Sequence, residues 1–484
     1  MNGWTPLGLA SLHGFTETVK LLLDHGADME TGNSMETHPL QSASDWGHTE
    51  TVKLLLDRGA KIEAETQDGW RPLTITVHSG HLKTAKLLLE YHADANASMK
   101  DGWTSLHWAS SKGFPETAQL LLEHHADTKA VVTDGWASLH LASVYGHTEV
   151  VKLLLSHGAE VDESTRFGHT PLFLASKAGH TKVVQALLGY GASILGSEQL
   201  EWLTPLMEAA AGGHTEVARL LAESGADIAA TNVKGMSALG SASDSGHAEM
   251  ARFLLDQGAD ISTACGYEWT PLMYASRCDN PDVAHLLIEK GASALESTTD
   301  GRSALSIAIE YGRNEVAELL IANGAGDTRP TNGWAPLLMA SKTGNIDGLN
   351  LLLKSALMRP GVTDNQGRTA LFMAARFGHL EVVRILLDDG RIDSDAADFY
   401  GSTALFAAVR NGHADTVAVL FAAKGPSWHM QDGFGRSLGW WARRFGQSET
   451  IKLLGDNADQ PISPVDDGRS ALSESSPITF NSDA

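Results

Sequence analysis

The sequence predicts an all-α repeat solenoid. Three observations lead there. One leucine recurs every 33 residues, with an occasional 32 or 34, from Leu7, Leu40, Leu73 and Leu106 through to Leu371 and Leu405. Glycine is frequent at 48 of 484 residues and proline is low at 15, and 33 of those glycines fall in three turn slots of that period. Each interval also holds two short apolar stretches at helical spacing. Length alone suggests about three ordinary domains; the period replaces them with one array of about fourteen units over residues 1–460. Residues 461–484 contain the start of a fifteenth unit and a Ser/Pro/Asp-rich tail, expected to be disordered.

Each element of a unit has a local reason. Thr5-Pro6-Leu7 opens the first helix. A Thr side chain accepts an amide left over at a helix start, and Pro suits the first helical position, where its missing N–H costs nothing. Ala10 and Ser11 are small and let neighbouring helices approach. Gly14 ends this helix, and the same slot is glycine in thirteen of fourteen units, Asp279 being the exception. Thr16, or Pro115 in a later unit, opens the second helix. Its apolar stripe is Val19-Leu21-Leu22-Leu23, and Gly26-Ala27-Asp28 stops it. Helices of roughly ten residues are marginal alone, so each unit must bury its faces on its neighbours.

Composition removes other classes. The formal charge is −23, from 36 Lys and Arg against 59 Asp and Glu. Such a chain is a poor whole-molecule ligand for nucleic acid, which needs clustered cations. No apolar run approaches the roughly 18 residues that span a bilayer, and Met1-Asn2-Gly3-Trp4 does not begin a signal peptide. Two cysteines, Cys265 and Cys278, exclude a disulfide framework and read as reduced thiols. These features point to an intracellular protein, cytoplasmic as the first reading and nuclear as the second.

Thr5-Pro6-Leu7-x-x-Ala10, Thr170-Pro171-Leu172-x-x-Ala175 and Gly146-His147-Thr148-Glu149-Val150-Val151-x-Leu153-Leu154-Leu155-x-x-Gly158-Ala159 resemble the ankyrin repeat. The resemblance implies paired antiparallel helices, short β-hairpin fingers between them, and a protein-binding role. Units with Asp-Gly-Trp at the finger resemble long arrays in fungal proteins. Four departures predict local irregularity. They are unit 2 without the finger glycine (Glu36), an extra residue near Trp202, the Arg277–Pro281 turn, and the segment 354–361 with a hinge or altered twist near 355–363.

Catalytic signatures are missing: no phosphate loop, no Gly-x-Gly-x-x-Gly, no His-Glu-x-x-His and no Gly-x-Ser-x-Gly. The reading is therefore not an enzyme, with no catalytic residue, metal or cofactor. Eight histidines follow the interhelix glycine, among them His48, His147 and His413. They lie one repeat apart, too far to share an ion, and are expected to hydrogen-bond backbone.

Function is left to the surface. Two positions per unit stand out. Three residues before the recurring leucine stand Trp4, Trp70, Trp103, Trp136, Trp269 and Trp334; they serve either as binding anchors or as a structural ladder, each indole on the next finger. Five residues after it stand Arg277, Glu310, Lys342, Arg376, Arg410 and Arg444 in the later units, followed at the next position by Phe377 and Phe445. Finger arginines Arg302, Arg368 and Arg436 join them. The later concave face is thus expected to be basic and aromatic, suited to an acidic or phosphorylated protein segment, unless nearby Asp and Glu neutralise it. The partner-binding candidates are Arg277, Lys342, Arg376, Phe377, Arg410, Arg444, Phe445, Trp4, Trp70, Trp103 and Trp136. The expected protein is a monomeric, non-enzymatic scaffold or adaptor using its concave finger and first-helix surface. The alternative is the sensor or substrate-receptor portion of a larger multidomain protein whose effector lies upstream of Met1. Unit 1 motivates it, because Leu9, Leu12, Phe15 and Val19 are apolar like an interior repeat.

Overall fold

The computed structural model describes residues 3–264, 268–278, 281–326, 335–424 and 431–455. Over these it places 28 α-helices, which is fourteen pairs at the predicted period. Repeat 1 is Pro6–Leu12 and Thr16–Asp24; repeat 14 is Leu438–Arg444 and Ser448–Leu454. Within repeats 1–9, and again within repeats 11–14, each first helix packs on the neighbouring first helices and on its own second helix. The chain divides into two compact units, one essentially residues 1–299 and the other essentially 324–484.

The start signals work as written. Thr5 accepts a 3.0 Å bond from the Gly8 amide, and Thr170 accepts one of 3.2 Å from Phe173. The recurring leucines form the core together with the valines of the second helix: Leu106, Leu371, Val52 and Val151 have no exposed surface. Ser11, Ser44, Ser110 and Ser143 are fully buried between first helices, where a larger side chain would force them apart.

The β-hairpin fingers are not formed. Among the described residues there is no β-strand; the connecting loops carry single antiparallel bridges, such as Ser98 with Thr104 and Thr363 with Thr369. The reason lies in the loop chemistry. Asp364 accepts the amides of Gln366 and Arg368 on one carboxylate oxygen, at 2.9 and 2.8 Å. The Asp364 amide donates to the Arg368 carbonyl at 3.1 Å and the Gly367 amide to the Asp364 carbonyl, also at 3.1 Å. This closes a tight turn that spends its backbone groups before a ladder can start. Neighbouring loops are joined by single backbone bonds, as from the Phe399 amide to the Gln366 carbonyl at 2.9 Å.

The interhelix histidines hydrogen-bond backbone, and they do so across repeats. His48 Nε2 donates to the Leu12 carbonyl at 3.0 Å, His147 to Ser111 at 3.1 Å and His180 to Val144 at 2.9 Å. His81, His214, His247, His379 and His413 repeat the pattern. The acceptor is always a carbonyl at the end of the previous first helix, a group the helix itself cannot satisfy. Where the slot is Asn345 or Gln447, the side-chain amide reaches the corresponding carbonyl, of Ile309 or Arg410. This stitch also explains the glycine before it. A Cβ on Gly146 would stand 2.7 Å from the His180 ring, and its φ is +79°, so the slot excludes side chains twice over.

Two further histidines, His107 and His140, are buried one position after the recurring leucine. His107 Nδ1 accepts the Thr104 amide and Nε2 donates to the Ala130 carbonyl. Burial pushes both imidazoles down to about 4. Gln41 occupies the same slot in repeat 2 and bonds the Ala64 and Trp70 carbonyls.

The departures resolve locally. Glu36 takes the left-handed position of the missing loop glycine, at φ +57°, held by Asn33, whose side chain accepts the Met35 and Thr37 amides. The extra residue of unit 7 is absorbed by a short 3-10 turn at Glu198–Leu200 and by left-handed Glu201 and Trp202. The helix Ile346–Lys354 ends at extended Ser355 without a glycine. Cys265, Asp279, Trp334 and the tail 461–484 lie outside the described residues.

Candidate functional site

The two surface positions identified in the sequence meet in repeat 3, where Trp70 lies 5.2 Å from His78, and in repeat 9, where Arg277 lies 5.8 Å from the Trp269 ring. The loop residue sits over the first helix, and the helix residue closes its last turn. Their chemistry differs along the chain.

In the first unit the loop position carries tryptophan in five repeats, and Thr37, His169, Leu203 or Met236 in the other four. Trp70, Trp103 and Trp136 are half-buried. Trp103 packs on Trp108 of its own first helix, with centroids 4.3 Å apart, and Trp70 stacks on the same indole at 5.4 Å. His78 fills the remaining side, 4.6 Å from Trp108 and 5.2 Å from Trp70. The three indoles and one imidazole thus fill one another's faces, and burial lowers the His78 pKa first, with Lys112 nearby acting the same way. Trp136 lies against His140 at 6.0 Å, and Trp4 lies over Gly8. The indoles sit on first helices, not as a ladder from loop to loop.

Arg277 belongs to the same unit. Its Nε donates to Asp244 at 3.1 Å, a second nitrogen pairs with the same oxygen, and the guanidinium lies 5.8 Å from the Trp269 ring. Asp244 holds the equivalent position one repeat earlier.

In the second unit the loop position carries arginine in repeats 12 and 14, with Ser402 between them. Arg368 Nε meets Asp364 at 2.5 Å and Arg436 Nε meets Asp432 at 2.7 Å; both carboxylates are buried. Arg436 stacks on Trp441 at 4.4 Å and on Phe434 at 4.5 Å. Trp441 Nε1 donates to Asp432 at 3.1 Å. The Asp432 carboxyl is held below its ordinary value, burial being outweighed by bonds from Arg436, Phe434 and Trp441.

The helix position presents charge differently. Arg376, Arg410 and Arg444 are exposed on successive first helices, Ala370–Phe377, Ala404–Asn411 and Leu438–Arg444. Among the described residues, no carboxylate lies within ion-pair distance of any of the three. Arg376 lies over Phe377 at 5.5 Å and Arg410 over Trp441 at 4.9 Å. Partial burial of its guanidinium, then the charges of Arg368 and Arg410, pull the Arg376 pKa down, with Asp364 opposing. Phe377 and Phe445 are exposed beside them, and Phe445 stacks on Trp441 at 5.7 Å. Lys342 is half-buried one repeat upstream, its carbonyl taken by His379. The structure therefore brings together Arg376, Phe377, Arg410, Arg444 and Phe445. Trp70 and Trp103 are gathered separately, and Arg277 is tied to Asp244.

Trp108, Tyr274 and Trp441 were missed by the sequence reading. Each stands two residues after the recurring position, a slot filled by Leu141, Leu174 or Ile307 elsewhere, which reads as ordinary core. A large aromatic there, five residues after a Trp or Arg in the loop, is the signal that finds them.

The description "Ankyrin repeats (3 copies)" matches residues 1–66, 58–132, 126–198, 195–265, 272–359 and 337–432. The chain is an ankyrin-repeat protein. Among solved structures, the crystal structure of the human ASB11 ankyrin repeat domain is 28% identical, covering 47% of this chain and 100% of that one, with a TM-score of 0.44. No match was found among curated proteins. Ankyrin arrays are non-enzymatic protein-interaction scaffolds, and this one has their repeat. Among its described residues no three His, Cys, Asp or Glu side chains are grouped to hold a metal, and no helix is long and apolar enough to cross a membrane.

Proposed function

We propose that this ankyrin scaffold recognises an acidic or phosphorylated protein segment on the loop and first-helix face of repeats 12–14. One observation carries the reading. Arg376, Arg410 and Arg444 stand on three successive first helices and, among the described residues, pair with no carboxylate, whereas Arg277 in the same slot and the loop residues Arg368 and Arg436 have one. A guanidinium offers a flat fork of donors that fits carboxylate and phosphate bidentately. Phe377, Phe445 and the exposed Phe434 supply apolar contact beside the charges. In a chain of net charge −23, such a cluster would be neutralised by chance unless it had a use.

The test is fluorescence anisotropy of the full chain with three labelled peptides of equal length: Asp/Glu-rich, phosphoserine-containing, and neutral. Binding of either acidic peptide, lost at least tenfold (about 1.4 kcal/mol) in the triple variant R376E/R410E/R444E, supports the reading. Equal binding by wild type and variant sinks it.

A further inference from the structure

Repeat 14 ends at Leu454, and beyond Gly455 the 29 residues 456–484 are more densely acidic than the array. They hold Asp456, Asp459, Asp466, Asp467, Glu474 and Asp483 against a single base, Arg469. Apolar residues are interspersed: Ile462, Val465, Leu472, Ile478 and Phe480. The surface beside the attachment point is complementary on both counts. Arg376, Arg410 and Arg444 line the first helices of the last three repeats, and the loops next to them expose Phe399 and Phe434 at 76% and 64%.

The described stack of loops reaches repeat 14. A Cβ on Gly401 would stand 2.6 Å from the backbone of the next loop, and one on Gly367 would meet Phe399 at 2.8 Å. The same atom on Gly435, in the last described loop, would meet only the Gln431 side chain, at 3.9 Å. Among the described residues, the face that Gly367 and Gly401 turn to the following loop has no such neighbour on repeat 14.

We infer that segment 456–484 is itself a ligand of the basic, aromatic face of repeats 12–14, so that an external acidic partner must displace it. The inference rests on the acidic-ligand reading above and adds an occupant. Distance permits it. Packed helices are about 8–10 Å apart, so three repeats span about 20 Å, and 29 residues reach about 30 Å even at random-coil dimensions. Tethering supplies a local concentration in the millimolar range, enough for a weak intramolecular contact to compete with a free peptide.

Two measurements on the full chain decide it. In the first, the six acids are neutralised together (D456N, D459N, D466N, D467N, E474Q and D483N), and the Asp/Glu-rich peptide is titrated into both proteins. The neutralised chain should bind at least fivefold more tightly. Equal affinity overturns the tail contact while leaving the site intact. In the second, p-benzoylphenylalanine replaces Phe480 and the protein is irradiated without peptide. Cross-links should concentrate on peptides containing Arg376, Arg410 and residues 431–445, and fall at least fivefold when the six acids are neutral. Cross-links scattered over the array, or indifferent to neutralisation, overturn the inference. If the acidic peptide binds neither chain, the function reading fails, and the cross-linking still decides the tail contact by itself.

Discussion

Repeats 3–5 and repeats 12–14 use one scaffold for opposite surface chemistry. In the first group the loop position is Trp70, Trp103 or Trp136, and the indoles are spent on Trp108, His78 and His140. In the second it is Arg368, Ser402 or Arg436, and the two arginines spend their charge on buried Asp364 and Asp432. What remains for solvent is then set by the end of the first helix. That position is His78, Ser111 and Val144 in one group, and Arg376, Arg410 and Arg444 in the other. The lesson is that an aromatic or cation in a repeated slot signals binding only when its own repeat leaves it unspent.

The largest expected difference between the groups is in acid. His107 and His140 are neutral in the fold, at about 4 against an ordinary 6.5. A depressed folded pKa means that the unfolded chain binds more protons below 6.5. Their stabilisation is therefore complete above about pH 6.5 and is lost as pH falls towards 4. Each contributes on the order of 3 kcal/mol. Phe372, Phe406 and Trp440 hold this slot in repeats 12–14 and cannot titrate. Hydrogen exchange at pH 5, corrected to its pH 7 reference, should rise in repeats 4–5 and stay level in repeats 12–13. Equal change in both would break the comparison.

Next in size is Trp108→Ala, which removes the ring shared by Trp70, Trp103 and His78. We expect about 2–3 kcal/mol of local destabilisation, toward the low end for a buried aromatic because Trp108 is half-exposed, read as faster exchange in repeats 3–4. Trp441→Ala should act similarly on repeat 14 and also weaken peptide binding, since Arg410 and Arg436 rest on that ring.

His147→Ala is smaller. It leaves the Ser111 carbonyl without its 3.1 Å donor, for about 1–2 kcal/mol, visible in the exchange of repeats 4 and 5. Least in stability is R376E/R410E/R444E. The three side chains are exposed and pair with no carboxylate of the described residues, so each change should stay within about 0.5 kcal/mol. A larger shift in the urea midpoint would mean that they are structural.

Much of this was legible in the sequence, because a strict period fixes both helix starts and helix stops. Thr5, Pro6 and Gly14 behave in the fold as their local chemistry dictates. The β-hairpins implied by the family resemblance were not formed, because the Asp364 side chain satisfies the loop amides that a strand would have used. Backbone bonding by His147 could be read from its turn; its reach to a helix 36 residues earlier could not. The difference between Arg277 and Arg410 was present in the sequence, and it needs same-slot neighbours compared across the period. The residue one repeat before Arg277 is Asp244, whereas the one before Arg410 is Arg376. The aromatic cluster stayed hidden because Trp108 occupies a slot that reads as plain core.

The most direct test sets the two groups against each other with one ligand. The Asp/Glu-rich peptide is titrated into wild type, into R376E/R410E/R444E and into W70A/W103A/W136A. The account predicts at least a tenfold loss of affinity in the arginine variant and less than a twofold change in the tryptophan variant. Loss of binding in the tryptophan variant, with the arginine variant unchanged, would contradict it.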